Sequence, residues 1–191
     1  MNNELQFQEI IQKKGILKLV HVTRKDNLKS ILKYGILPRE QLDKNKIKYF
    51  YNDKKRLDGW LNAVCVSVTK LNPHLIKRFS YTYKLDKKDW FQIHIRPTIL
   101  TNIEAIFCET NAASSIYNEF KSIEKIKLLK TPKAFLRLFN RNTLNSRGIF
   151  PRKNKKLNET TDNQAEICIL GKINPEYFIN LKNMERAING G

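Results

Sequence analysis

An α+β fold is the class this sequence predicts, and three observations predict it. Short apolar runs of strand type are bounded by turn residues, and helical stripes lie between them. The two kinds mix without the regular alternation of a parallel α/β chain. At 191 residues and 22.5 kDa the chain is large enough to bury a real core, and it is read as a single domain over residues 1–191.

The elements follow in order. Phe7, Ile10 and Ile11 lie at helical spacing, and Gly15 ends that helix. Residues 19–23 form a strand, in which His21 and Thr23, two apart, share one face. Leu28, Ile31, Leu32 and Tyr34 make the stripe of a short helix stopped by Gly35. Residues 38–56 are polar and loop-like except at Tyr49-Phe50-Tyr51. A strand at 64–68 puts its valines on one face and Cys65, Ser67 and Thr69 on the other. Pro73 opens a helix, residues 90–95 and 105–108 are strands, and helices fill 112–140. A loop over 141–162 leads to a buried strand at 166–170 bounded by Gly171, and a last strand is expected near 177–181.

The chain carries a net charge of +18 and a pI near 9.9, so a polyanionic partner is the leading expectation. The charge is concentrated. Between residues 121 and 156 there are twelve lysines and arginines and one acid, Glu124, so this segment carries +11 of the total. Phe135, Phe139 and Phe150 are interleaved with these bases, with Tyr117 and Phe120 just before them. Basic groups that track phosphates and aromatic faces that stack on bases suit a single strand. Helical spacing assigns Phe135 and Phe139 to the core, which leaves Phe150, in the run Arg147-Gly148-Ile149-Phe150-Pro151, as the stacking candidate.

Cys65, Cys108 and Cys168 each lie in an apolar run, without a Cys-x-x-Cys pair or a signal peptide, as expected of reduced thiols in a cytoplasmic protein. His21, His74 and His94 show no ligand spacing, so no metal is expected. There is no internal repeat, no run of the roughly 20 apolar residues a membrane span needs, and no Walker or G-x-G-x-x-G phosphate loop.

One carboxylate stands out. Glu166 opens the apolar run Ile167-Cys168-Ile169-Leu170, where a charge is costly unless it is paired or set at a cleft rim. It is either a strand-end charge in water or part of a site. His21 with Thr23 sets an imidazole beside a hydroxyl, a pair suited to gripping a ribose or an amide.

Four segments in order carry a family resemblance: His21-Val22-Thr23 with Asn27-Leu28; Arg56-Leu57-Asp58-Gly59 running into Asn62-Ala63-Val64-Cys65-Val66-Ser67-Val68; Phe107-Cys108-Glu109-Thr110-Asn111-Ala112-Ala113-Ser114; and Asn163-Gln164-Ala165-Glu166 through Pro175-Glu176-Tyr177. Through them the chain resembles the DarT ADP-ribosyltransferases, toxins that attach ADP-ribose to bases of single-stranded DNA, and it looks closest to the guanine-modifying branch. The resemblance implies a PARP-like ADP-ribosyltransferase fold, a split mixed β-sheet with flanking helices and NAD as co-substrate in the cleft. It also implies a macrodomain antitoxin that reverses the modification.

By the same resemblance Glu166 is the catalytic carboxylate and Arg56 the active-site arginine, set against the NAD diphosphate. His21, Thr23 and Asn27 bind NAD, and Asp58 is expected to salt-bridge Arg56 and fix its direction. Asn111 is carried by the Thr110-Asn111-Ala112-Ala113 match, and with Arg147, Phe150, Arg152 and Lys153 it is expected on the DNA side. The segment 115–160 is the expected DNA grip. One departure stands out: the family motif often has proline before Thr-Asn-Ala-Ala, where this chain has Glu109. The alternatives are the same transfer onto RNA, or a nuclease or plain nucleic-acid-binding module. The first would need a groove that reads the 2′-hydroxyl. The second leaves His21, Arg56 and Glu166 without a task.

Overall fold

The chain's computed structural model describes residues 2–51, 56–145 and 147–189. Helix α1 (Asn3–Lys14) starts where the Asn2 side chain accepts the Glu4 N–H and stops at Gly15, whose φ of +61° suits only glycine well. Strand β1 (Leu19–Arg24) leads through a single 3₁₀ turn into α2 (Leu28–Tyr34) and then α3 (Arg39–Lys44). Strand β2 (Ala63–Val68), α4 (Pro73–Tyr83), β3 (Trp90–Ile95), α5 (Ile99–Asn102) and β4 (Ala105–Cys108) follow. Beyond them come α6 (Ile123–Ile126), α7 (Pro132–Arg137), the hairpin β5 (Asn142–Asn145) with β6 (Gly148–Pro151), β7 (Glu166–Leu170) and α8 (Leu181–Asn189).

Five strands form one sheet in the order β3-β1-β2-β7-β4. Every pairing among the described residues is antiparallel, so the sheet is not the mixed one expected. Alternation along the strands buries both faces. Val64, Val66, Val68, Phe107, Ile167 and Ile169 point to the main core, where Phe7, Phe107, Phe135 and Phe139 pack ring against ring at 5.0–6.0 Å. Ala63, Ile106, Cys108 and Cys168 point the other way, onto Trp60, Tyr117 and Leu129.

Three sequence expectations change. The loop 141–162 contains the β5–β6 hairpin, whose β6 residues are all exposed and so show no buried alternation to read. The polar stretch after residue 38 contains α3. The strand expected at 177–181 is instead a 3₁₀ turn (Pro175–Tyr177) followed by α8, because Leu181, Met184, Ala187 and Ile188 recur at helical spacing against the core. Gly35 is required twice over. Its φ is +81°, and a Cβ there would lie 2.4 Å from the Ile173 carbonyl oxygen, across the close approach that pairs Ile36 with Ile173.

Candidate active site

The cleft begins where two strands part. β1 pairs with β2 only at Leu19–Val68 and Val20–Ser67, whereas with β3 it pairs over its whole length. Beyond Val20 the sheet splits, and the His21 imidazole bridges the gap, its Nδ1 3.0 Å from the Cys65 carbonyl oxygen. A carbonyl only accepts, so Nδ1–H donates and Nε2 keeps a lone pair. Burial, the largest influence, pushes the imidazole pKa down, and the Arg56 charge adds to this against the Cys65 hydrogen bond, so His21 is neutral at pH 7. His21 and Thr23 share the face of Leu19, while Glu166 shares that of Cys168, the opposite one. Because the sheet is split, all three line one cavity of about 450 Å³.

Asn27 organises the mouth of that cavity. Its amide nitrogen donates to Thr23 Oγ1 (3.0 Å) and to the Phe50 carbonyl (2.8 Å), and its oxygen accepts the Phe50 N–H (2.9 Å). The Tyr49-Phe50-Tyr51 stretch is thereby held over the cleft, with Arg24 stacked on Phe50 at 4.4 Å and Arg39 on Tyr51 at 5.5 Å. Arg39 and Arg78 also line the cavity.

Arg56 is locked. Its guanidinium is bidentate to Asp58 (Nε–Oδ1 3.0 Å, Nη2–Oδ2 2.8 Å) and donates to the carbonyls of Trp60 (2.6 Å) and Ala63 (3.2 Å). The backbone at Arg56 has φ +43°, which costs an L-residue about 1–2 kcal/mol and is held by these contacts. Burial alone would weaken its charge; the Cys65 sulfur and the Asp58 carboxylate reverse the sign and raise its pKa. Cys65 is a neutral thiol, so Asp58 is the partner that matters at pH 7. The salt bridge expected between Asp58 and Arg56 is present.

Glu166 stands at the first position of β7, opposite Cys108. Its Oε2 accepts the Ala112 N–H at 2.7 Å and the Asn111 side-chain amide at 3.4 Å. The turn after β4 thus orients the carboxylate, and Asn111, expected on the DNA side, lies in the same cavity at Glu166.

Beneath the site the three cysteines converge. Cys65 and Cys168 are cross-strand partners with sulfurs 3.4 Å apart. Asp58, Cys65 and Cys168 hold their ligand atoms within 4.8 Å of one another, a grouping that sequence spacing did not reveal. The Arg56 guanidinium already bonds this carboxylate. The thiols are also held protonated: Cys65 by its hydrogen bond with Cys168 and by burial, and Cys168 by its hydrogen bond with Cys108. That donor set suits a guanidinium better than a metal ion.

The residues expected to meet nucleic acid separate into two roles. Arg147, Phe150 (42% exposed) and Lys153 are exposed on or just beyond the β5–β6 hairpin. Arg152 instead turns inward, donating to the carbonyls of Lys156 (2.6 Å) and Glu159 (2.7 Å) and to Thr161 Oγ1 (3.3 Å). It clasps the loop 156–161. Glu109, in the motif's proline position, accepts from Arg137 Nε (3.0 Å) and from Thr143 Oγ1 (2.9 Å), joining β4 to α7 and to the hairpin. Among the described residues no helix is long and apolar enough to cross a membrane.

Sequence reasoning missed the Ala112 N–H, the aromatic mouth with Arg39 and Arg78, and the thiol cluster. Only the Asn-Ala-Ala match hinted at the first. A family profile described as "DarT: ssDNA thymidine ADP-ribosyltransferase, DarT" matches residues 20–187. Among solved structures the chain is similar to Thermosipho africanus DarTG in complex with ADP-ribose, with 19% identity and a TM-score of 0.56. That match covers 91% of this chain and 47% of the other, so the chain spans about half of its length. No curated protein matches.

Proposed function

The chain belongs to the DarT family of single-stranded-DNA ADP-ribosyltransferases, and on that premise we propose that it transfers ADP-ribose from NAD to a guanine of single-stranded DNA. The observation that carries this reading is the meeting of Glu166 with His21 and Thr23 in one cavity, through the split between β1 and β2. Its volume of about 450 Å³ lies within the roughly 300–1,000 Å³ of small-molecule sites. Its aromatic mouth, the arginines Arg39 and Arg78 and the Nε2 lone pair of His21 offer a nucleotide a stacking surface, phosphate donors and a hydroxyl acceptor.

NAD supplies a glycosidic bond to a positively charged leaving group. The residues supply the rest. His21 Nε2 accepts from a ribose hydroxyl, with Thr23 beside it held by Asn27. The fixed charge of Glu166 stabilises positive charge developing on the ribose, as carboxylates do in glycoside cleavage. The same carboxylate takes the proton of the base's exocyclic amine as the new bond forms. Arg56, its guanidinium fixed by Asp58, presents a permanent charge at the cleft wall toward the diphosphate. Arg147, Phe150 and Lys153 serve the strand, and the Asn111 amide steadies Glu166. An unpaired strand suits this site, because a base in a duplex must first be flipped out at a cost of a few kcal/mol.

Guanine rests on the resemblance of the segments around Asn111 and Glu166, whereas the family description names thymidine. On the same resemblance we read the chain as the toxin of a pair whose antitoxin is a macrodomain that removes the modification. The test is mass spectrometry of oligonucleotides incubated with the protein and NAD, run as single-stranded DNA, duplex DNA and RNA, with Glu166→Gln as control. A gain of one ADP-ribose on guanine-containing single strands alone is the expected result. Gain on thymidine strands would correct the base, and gain on RNA would correct the polymer. No gain on any would remove the transferase reading.

A further inference from the structure

The cavity of the site adjoins a second, larger and more open concavity, and Leu71 lines both. The second is lined by Lys18, Lys70, Gln92, Phe150, Lys153 and Lys155. Its floor is the end of the β1–β2 pair, where the Thr69 N–H donates to the Lys18 carbonyl. Lys18 Nζ donates to His94 Nε2 at 3.3 Å, so the imidazole serves as its acceptor. Burial, and then the Lys18 charge, push the His94 pKa down, which keeps it neutral and the ammonium positioned. Lys155 is held by the Asn163 side-chain oxygen. Lys70 is balanced by Glu159 at 2.6 Å. Glu159 and Asp162 both act on Lys155, so the four lysines exceed the two acids facing them by two charges, and the Phe150 ring stands beside them. Arg152 fixes the loop that forms this wall, spending its donors on the chain itself.

We propose that this concavity binds the single strand flanking the modified base, with phosphates on Lys18, Lys153 and Lys155 and an unpaired base against Phe150. Charge complementarity and an exposed aromatic face are the features that non-specific single-strand grooves combine. The inference rests on reading the adjoining cavity as the transferase site. Lys70 lies three residues beyond Ser67, which lines that cavity, so the two are at most about 10 Å apart along the chain. At about 3.4 Å per stacked nucleotide, about three nucleotides reach from one to the other.

The test compares kcat/KM for a short single-stranded oligonucleotide, a core holding one of each base, with the same core extended by about four nucleotides on its 5′ or its 3′ side. For wild type, one of the extensions raises kcat/KM and the other does not. Phe150→Ala reduces that long-to-short ratio about tenfold, the scale of one base–aromatic stack. Lys18→Gln with Lys153→Gln removes two phosphate contacts and lowers the salt slope for the long strand by about 1.4. Between 50 and 200 mM salt this makes a difference of about sevenfold. Lys70 is left intact so that Glu159 keeps its partner. Transfer to the short core with no gain from either extension would overturn the concavity and leave the transferase reading standing. A gain that survives both variants would do the same. Transfer to none of the strands would refute the reading beneath it, and the concavity with it.

Discussion

Asp58→Asn is the substitution whose cost can be worked most directly from the structure. The change keeps shape and volume but removes the charge that faces a guanidinium whose side chain is only 15% exposed. The asparagine oxygen can still accept from Arg56 Nε, but its NH₂ now opposes the Nη2–H that donated at 2.8 Å. Breaking one partner of a buried pair costs about 3–5 kcal/mol, because the remaining charge is left buried. The low end, about 3 kcal/mol, is expected here, since the Trp60 and Ala63 carbonyls still hold Arg56. At about 2.1 cal/mol/K per residue, 191 residues unfold with about 0.4 kcal/mol/K, so Tm falls by about 7 °C. A circular-dichroism melt measures this, repeated in an Arg56→Gln background, where the drop should shrink to a small fraction. A melt within about 1 °C of wild type, or equal drops in both backgrounds, would refute the reasoning that Asp58 exists to hold Arg56.

Three further outcomes are expected. Glu166→Gln should keep NAD affinity, measured by calorimetry, while transfer falls by about 10²–10³-fold, the scale of losing one preorganised electrostatic group; full turnover would end its catalytic assignment. His21 has a folded pKa pushed below the usual value near 6.5, so as pH falls through 6.5 the unfolded chain takes up a proton that the folded chain does not. Stability should therefore drop over that window, and His21→Asn should flatten the slope to the share that His94, also pushed down, supplies when urea melts are run from about pH 7.5 to 5; an unchanged slope would place the titration elsewhere. Arg152→Ala should act on the fold, costing about 2–3 kcal/mol for its lost charged hydrogen bonds and raising amide exchange in residues 156–161. Unaltered exchange there would remove the clasp.

The sheet is largely legible in the sequence. β3, β4 and β7 fall on the expected residues because each is an apolar run closed by turn residues, and both faces of the sheet are buried. The segment before α8 misled: Tyr177, Phe178 and Ile179 look like a strand, and only their tertiary neighbours decide otherwise, whereas the helical spacing of Leu181, Met184, Ala187 and Ile188 was there to be read. The hairpin escaped for the opposite reason, its exposed side chains carrying no periodic signal. At the site, strand spacing paired His21 with Thr23 and Glu166 stood out as a charge opening an apolar run, while Arg56 came from the family resemblance alone. What spacing lacked was register. Cys65 and Cys168 lie 103 residues apart and meet only because β2 pairs with β7 in one alignment. Likewise, nothing local tells an arginine that clasps carbonyls from one that faces solvent, so the inward turn of Arg152 was not legible.

Glu109 sits at the root of the turn that presents Asn111 and the Ala112 N–H to Glu166. A proline there would stiffen that turn unconditionally, since its ring fixes φ whatever the solvent. This chain braces it with an ion pair to Arg137 and a hydrogen bond to Thr143, and the Glu109 and Arg137 side chains are 23% and 33% exposed. A brace of charge is conditional: it slackens as ionic strength rises, though less than a fully exposed pair would. The same two bonds run to the helix and the hairpin on either side, so the carboxylate's cradle and the basic arm share one fastening. Loosening it at one end slackens both.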